Sequence, residues 1–183
     1  MDLVLNADHF KRIVLGGICQ AKVSIDIMTA DFKAMLVPDG HSRRAKSIVE
    51  IFRKLADKGV EIRLLHAGVP SASALVELRK QLPQRLTIRR CPRLHSKAVI
   101  IDSQKMYFGS ANLTGAGLGA KSDGRRNFEL GVWTESPAAI DAVANEFNQL
   151  WEGRECATCQ RKDVCPVPLE EPLLQLRPLS RSA

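Results

Sequence analysis

The sequence predicts an α/β fold in which a mixed β-sheet is flanked by helices. Helical and strand periodicities alternate along the first half of the chain, and the second half contains consecutive strands. That order of elements is typical of a mixed sheet with helices packed against it. The chain has 183 residues, of which 45% are apolar, so it can form one well-buried domain and little else.

The elements follow from apolar spacing and from the residues at their ends. Helices are predicted over 7–20, 42–58, 71–81 and 137–151. Strands are predicted over 22–28, 60–65, 86–90, 96–101, 106–109 and 128–134. Asn6 or Asp8 is the expected N-cap of the first helix. Gly59 is expected to end the second helix, and Ser136 with Pro137 to begin the last one.

The net charge of the chain favours a polyanionic partner. It is +7 at pH 7. Basic residues gather on both sides of the central motif, which favours a nucleic-acid backbone, and the candidate contacts are Arg90, Arg93, Lys121, Arg125 and Arg126. The alternative is a solvated basic face that only aids solubility. Aromatic residues make up 5% of the chain, so we expect phosphate contacts with weak sequence preference and little base stacking.

Signals for a membrane or for secretion are absent from the sequence. There is no run of about 18 apolar residues, as a membrane span requires. The first residues also lack a positive segment followed by an apolar core. We therefore expect a cytoplasmic protein with no membrane partner.

Residues 95–112 form the most specific pattern in the chain. They read H-x-K-x4-D-x6-G-S-x-N, from His95 to Asn112. A neutral histidine ring offers a nucleophilic lone pair near neutral pH. Lys97 would point to the same face of a strand as His95, where its charge can stabilise phosphate oxygens in the transition state. The pattern therefore predicts a histidine nucleophile acting on a phosphodiester.

This pattern resembles that of the phospholipase D superfamily, and in particular its nuclease-like members with a single copy of the motif. The resemblance extends from about Leu5 to Trp151 and implies the mixed sheet of that superfamily. It also implies that His95 forms a phosphohistidine while a second histidine protonates the leaving oxygen. Because this chemistry needs no metal, the resemblance implies a metal-independent phosphodiesterase that cleaves DNA or RNA.

The other motif residues are expected around the same phosphate. Ser110 and Asn112 share a face and can donate hydrogen bonds to it. Asp102 belongs to the motif, but its odd spacing from His95 predicts the opposite face and a role in holding a strand or turn. Glu129 matches a position where superfamily members often carry a carboxylate that orients the histidine. The alternative for Glu129 is an exposed residue at a strand end.

A single copy of the motif implies a homodimer. The mechanism needs two histidines, whereas His9, His41 and His66 are not followed by a comparable lysine or asparagine. We therefore predict a two-fold axis through the active site, with one His95 and one Lys97 from each subunit. Single-motif members of the superfamily are arranged in this way.

Cys156, Cys159 and Cys165 form a C-x2-C-x5-C-P run near the C-terminus. Cysteines at this density in an intracellular protein usually bind metal. The run resembles the three C-terminal ligands of iron–sulfur exonucleases of the helicase-associated and CRISPR-associated kind. We therefore expect a structural iron–sulfur cluster. A zinc site and free cysteines are the alternatives.

Cys91 is the predicted fourth ligand. The helix over 137–151 runs back toward the active-site end of the sheet, so the cysteine run begins at the end where Cys91 closes a strand. Cys19 ends the first helix and is expected at the far end. His66 or His41 are the substitutes for Cys91.

The chain is thus expected to contain a catalytic domain over 1–152 and a cysteine-rich segment over 153–183, which ends in an extended arm rich in proline and leucine.

Two other functions remain open. A phospholipase or phosphatidyl transferase would need an apolar patch or amphipathic helix near the site. A non-catalytic nucleic-acid-binding subunit of a larger complex would not need the intact motif.

Overall fold

The computed structural model describes residues 1–38, 45–80 and 82–170. Its strands are β1 (Asp2–Leu5), β2 (Ser24–Thr29), β3 (Leu36–Val37), β4 (Lys46–Ser47), β5 (Glu61–His66), β6 (Leu86–Arg90), β7 (Ala98–Ile101), β8 (Lys105–Gly109) and β9 (Leu130–Thr134). Its α-helices are α1 (Ile48–Asp57), α2 (Ala72–Lys80) and α3 (Pro137–Trp151).

Seven of these strands form one mixed sheet in the order β1-β9-β8-β7-β2-β5-β6. Strands β2, β5 and β6 are parallel, because a helix connects each to the next along this edge. From β2 outward to β1, every pair is antiparallel. Strands β3 and β4 form a separate two-stranded sheet.

Apolar residues cover both faces of the sheet because successive side chains of each strand point to opposite faces. On one face, Ile25 and Ile27 of β2 belong to the large core that also contains Phe52 of α1. On the other face, Met28 packs in the cluster that contains Phe147 of α3. The predicted α/β class, a mixed sheet flanked by helices, is confirmed.

The first predicted helix is not continuous. Residues Phe10–Leu15 form a π-helical segment that ends at Gly16, and Ile18–Gln20 form a single 3₁₀ turn. Gly17 lies so close to the sheet that a Cβ atom there would be 2.6 Å from the Ile101 side chain. The break therefore places Gly17 against the core, which a helix running through this point would not do.

The second helix begins later than predicted. Residues 42–44 of the predicted helix, like Gln81 of the third, lie outside the described residues. Lys46 and Ser47 pair with β3, and helix α1 starts at Ile48. The Ser47 hydroxyl accepts a hydrogen bond from the Glu50 amide at 3.1 Å, so it is the N-cap that stops the helix from extending further back.

Strand β1 was not predicted, although it completes the sheet beside β9. Its register pairs Leu5 with Leu130 and Leu3 with Val132. Three predicted strands begin two residues later than expected, since β2 begins at Ser24, β7 at Ala98 and β9 at Leu130. The residues before the starts of β7 and β9 include the motif histidine and the candidate carboxylate.

The candidate catalytic residues lie at one end of the sheet. The loop after β8, the segment before β7 and the start of β9 meet there, since β8 is antiparallel to both neighbours. Within the described residues, no helix is both long and apolar enough to cross a bilayer.

Candidate active site

His95 and Lys97 lie in the extended segment just before β7 and point the same way. The Lys97 ammonium nitrogen is 3.3 Å from each ring nitrogen of His95 and donates to the His95 carbonyl oxygen at 2.7 Å. His95 is exposed, and Lys97 is half-buried. An imidazole ring and an ammonium group therefore lie in contact at the same end of the sheet.

Asn112 is held by the loop that follows β2. Its side-chain oxygen accepts a hydrogen bond from the Asp31 amide at 3.1 Å and lies 3.3 Å from the Thr29 hydroxyl oxygen. Thr29 is buried and also accepts from the Leu113 amide at 2.9 Å. The Asn112 oxygen therefore accepts within this loop, and the NH2 group is the only donor that the side chain offers.

Ser110 and Glu129 form a pair across the start of β9. The Ser110 hydroxyl donates to the Glu129 carboxylate and accepts from the Leu130 amide at 3.1 Å. The Asn127 side chain donates to the other Glu129 oxygen at 3.0 Å. In the described part of the chain, no hydrogen bond joins Glu129 to His95 of the same subunit, so its orienting role stays a prediction.

Asp102 lies at the opposite end of β7 from His95. Its carboxylate accepts hydrogen bonds from the backbone amides of Lys22, Val23 and Ser24, the shortest at 2.7 Å from Val23. Asp102 has a φ of 54°, in the turn that leads to β8. This carboxylate therefore fixes the start of β2 against β7 and does not touch the phosphate site.

A buried polar pair lies beneath Ser110 and was not found from the sequence. The Tyr107 hydroxyl accepts from the Ala111 amide at 3.1 Å and lies 3.1 Å from His9 Nε2. His9 Nδ1 is 3.0 Å from the Asn6 carbonyl oxygen. Since that oxygen can only accept, Nδ1 carries the proton and Tyr107 donates to Nε2. The neutral ring thus fits both partners.

Burial shifts the pKa of both members of this pair. It raises the pKa of Tyr107 to about 12 and lowers the pKa of His9 below its ordinary value. Two glycines make room for the tyrosine. A Cβ atom at Gly109 would be 2.5 Å from its hydroxyl oxygen, and one at Gly131 would be 2.3 Å from its ring. The motif glycine is therefore needed for packing, and a glycine in mid-strand at 131 is the sequence signal for this site.

The basic residues near the motif do not share one role. Arg90 donates to the carbonyl oxygens of Ala67 at 3.1 Å and Val164 at 3.3 Å, so it holds backbone segments together. Arg126 pairs with Asp123. The remaining candidates for nucleic-acid contact are exposed, and they are Arg93, Lys121 and Arg125.

Four cysteines line one cavity of about 350 Å³, and they are Cys91, Cys156, Cys159 and Cys165. Burial and the three other thiols raise the pKa of Cys156. A hydrogen bond from the Arg161 backbone and the nearby Arg93 lower the pKa of Cys159. Among the described residues, no three His, Cys, Asp or Glu side chains are already arranged around a single ion.

Neither the fifth cysteine nor His66 lines this cavity. Cys19 packs against the large core at the other end of β2, where burial raises its pKa. His66 is buried, with Nδ1 2.8 Å from the Gly68 carbonyl oxygen. His41, the other predicted substitute ligand, lies outside the described residues.

Residues 14–151 match the protein family described as "Cardiolipin synthase, PLD-like domain". The chain belongs to the phospholipase D-like family. The match contains the whole motif together with Glu129, and it ends at the last residue of α3. No curated protein matches the chain significantly.

Several solved structures share this fold. NucT from Helicobacter pylori is 15% identical with a TM-score of 0.61, over 82% of this chain and 94% of its own. Nuc from Salmonella typhimurium, titled a phospholipase D family member, is 20% identical with a TM-score of 0.62, over 82% and 93% of the two chains. The archaeal chromatin protein TrmBL2 is 17% identical with a TM-score of 0.51, over 82% of this chain and 51% of its own.

Proposed function

We propose that this phospholipase D-like protein is a metal-independent nuclease that hydrolyses nucleic-acid phosphodiesters through a phosphohistidine. The contact between His95 and Lys97, on the same sheet end as Asn112 and Ser110, is the observation that carries the proposal. It brings together a nucleophile and a fixed positive charge, and the Asn112 NH2 group is a neutral donor at the same end of the sheet.

The first step forms a bond between a ring nitrogen of His95 and phosphorus. The bond from phosphorus to the leaving oxygen breaks, and that oxygen takes a proton from the imidazolium of the partner subunit's His95. Lys97 and the Asn112 NH2 group stabilise the charge on the non-bridging oxygens. Ser110 assists by holding the Glu129 carboxylate, to which it donates its one hydroxyl proton.

The second step releases the histidine. Water attacks phosphorus and gives its proton to the partner subunit's His95, which is now neutral, while the bond between nitrogen and phosphorus breaks. Both histidines return to their starting states, and the products are a phosphomonoester and a free hydroxyl. No metal ion enters either step.

A homodimer supplies the second histidine, and an exposed apolar strip beside the site supports it. Phe128 is 95% exposed and Leu130 is 62% exposed, directly on either side of Glu129. Leu5 and Leu3 of the edge strand β1 add two more exposed apolar side chains next to β9. A second copy of the chain would cover this strip and bring the two copies of the motif together in one active site.

Nucleic acid is the proposed substrate because of charge. The chain carries +7, and Lys121 and Arg125 stand exposed in the loop between Asn112 and Glu129. TrmBL2, which shares the fold, is described by its title as binding DNA, and this agrees with the proposed partner. The family description names cardiolipin synthase, so a lipid phosphodiester is the competing substrate.

The test is phosphodiester cleavage in excess EDTA. Single- and double-stranded DNA and RNA, and vesicles of phosphatidylglycerol, are incubated with wild type and with His95→Ala. The expected result is cleavage of a nucleic acid by wild type that falls at least about 1,000-fold in the variant. EDTA removes the activity of metal-dependent contaminants.

Two outcomes contradict the proposal. Transfer or hydrolysis of phosphatidylglycerol without nucleic-acid cleavage assigns the site to lipid. Binding of nucleic acid by a folded dimer without any turnover assigns the chain to a non-catalytic subunit of a larger complex.

A further inference from the structure

The segment after α3 has one conformation in the structure, although it buries little apolar surface. Between residues 153 and 168 there is no helix or regular strand, and no residue is buried. Burial of apolar surface is the main force that holds a chain in one conformation. A segment without it usually depends on a disulfide or a metal centre.

This segment contacts the end of α3, through hydrogen bonds from the Gly153 and Arg154 amides, and it also contacts β6 and the turn after it. Arg90 donates to the Val164 carbonyl oxygen at 3.3 Å and forms an isolated backbone bridge with Leu169. Cys91, the next residue, faces the cavity of about 350 Å³ that Cys156, Cys159 and Cys165 also line. Four thiols from two distant parts of the chain thus surround one space.

Cys19 is a cysteine of this chain that serves in packing. It packs against the large apolar core, as a small hydrophobic residue would. The four cavity cysteines are half-buried, as Cys19 is, and Cys91 also packs against the second apolar cluster. Cys156, Cys159 and Cys165 belong to neither of these two clusters. Partly exposed thiols around a shared cavity are typical of ligands.

We propose that Cys91, Cys156, Cys159 and Cys165 bind an iron–sulfur cluster that ties the C-terminal segment to the turn carrying His95. A single zinc ion, with bonds of about 2.3 Å to sulfur, would draw its four thiolates to within about 4 Å of each other. The cavity that the four cysteines line has a volume of about 350 Å³. A cluster instead fills a larger space, because iron and sulfide ions lie between the cysteines.

The sequence around the ligands agrees with a cluster. Proline follows both Cys91 and Cys165, and a cysteine followed by proline occurs in iron–sulfur ligand runs. When bound, the cluster would crosslink the two segments, and the four cysteines would act only as ligands.

The position of the cavity gives the cluster a consequence for the active site. An adjoining cavity of about 230 Å³ is lined by His95 together with Cys91, Cys156 and Cys159. The Leu94 amide donates to the Cys91 carbonyl oxygen at 2.9 Å, so one tight turn carries both the ligand and the histidine. Fixing Cys91 therefore fixes the backbone that presents His95.

The experiment measures metal directly and does not depend on the proposed nuclease activity. Wild type, Cys91→Ser, Cys159→Ser and the control Cys19→Ser are purified without oxygen. Iron, zinc and acid-labile sulfide are quantified, and the visible absorption spectrum is recorded. Limited proteolysis then reports whether residues 153–168 stay protected.

The expected result is between about two and four iron ions per chain, with equal sulfide, in wild type and Cys19→Ser. The two cavity variants lose the visible absorption and are cleaved within residues 153–168. Stoichiometric zinc without iron overturns the cluster and assigns a single-ion site. Five free thiols with no metal, or equal iron in all four proteins, overturns the site itself.

Discussion

The lysine of the motif differs from the other lysines in what it touches. Lys97 contacts the ring of His95, whereas Lys105 is exposed at the far end of β8. Their charges are equal, so the two positions separate a local role from a general electrostatic one. Only a positive charge within hydrogen-bond reach of the phosphate stabilises the transition state strongly.

Lys97→Ala is therefore expected to lower kcat about 100-fold or more, while Lys105→Ala changes it less than about three-fold. Steady-state cleavage of the preferred nucleic acid in EDTA measures both. Equal losses in the two variants would mean that Lys97 contributes only to the net charge of the surface.

The buried His9 predicts how stability depends on pH. Burial lowers its pKa in the folded state, so between the folded and unfolded pKa values the unfolded chain binds more protons. The stabilisation is complete above about pH 6.5, the pKa of an unperturbed histidine, and is lost as the pH falls through the folded value.

The free energy of unfolding is thus expected to decrease when the pH drops from 7.5 to 5.0. Urea denaturation at several pH values measures it for wild type and for His9→Gln, which cannot titrate. A smaller slope is expected for His9→Gln. The same slope in both proteins would assign the effect to other groups.

At the scale of elements, the join between β7 and β2 depends on one side chain. The Asp102 carboxylate accepts from three successive amides that precede or begin β2. Hydrogen bonds to a charged acceptor contribute more than neutral ones, and their loss leaves amides without a partner.

Asp102→Asn keeps the shape but removes the charge and one acceptor oxygen. It is expected to lower the free energy of unfolding by about 1–3 kcal/mol, whereas Asp57→Asn at the exposed end of α1 changes it by less than about 0.5 kcal/mol. Chemical denaturation with both proteins at pH 7 checks this. A loss of turnover without loss of stability would place Asp102 in the chemistry instead.

For two elements, apolar periodicity was sufficient to predict the first and last residues. Strand β6 and helix α3 have the bounds that their apolar patterns predict. The first helix is interrupted because Gly17 packs against Ile101, a contact between residues far apart in sequence. Strand β1 was missed because only its pairing with β9 distinguishes it from a short alternating loop.

At the scale of the whole molecule, one subunit holds one copy of the motif. If the single active site of the dimer uses His95 from both subunits, a mixed dimer with one His95→Ala chain is inactive. Its inactive chain therefore removes the activity of the wild-type chain that it pairs with.

Wild type mixed with increasing His95→Ala, under conditions that allow subunit exchange, should lose activity with the square of the wild-type fraction. Phe128→Glu places a charge in the exposed apolar strip, so this variant should sediment as a monomer. The double variant Phe128→Glu/His95→Ala should then not inhibit the wild-type protein with which it is mixed. A linear loss of activity would show that each subunit works alone.

The fold class, the family and the motif residues could be predicted from the amino-acid sequence, because periodicity and fixed spacing are local properties of a chain. The sequence also predicted Cys91 as a fourth ligand beside the three C-terminal cysteines. Tertiary structure alone decided that Glu129 pairs with Ser110, that Tyr107 and His9 support the loop, and that Arg90 holds a backbone segment. These contacts join residues distant in sequence, and only the packing of the sheet brings them within hydrogen-bond distance.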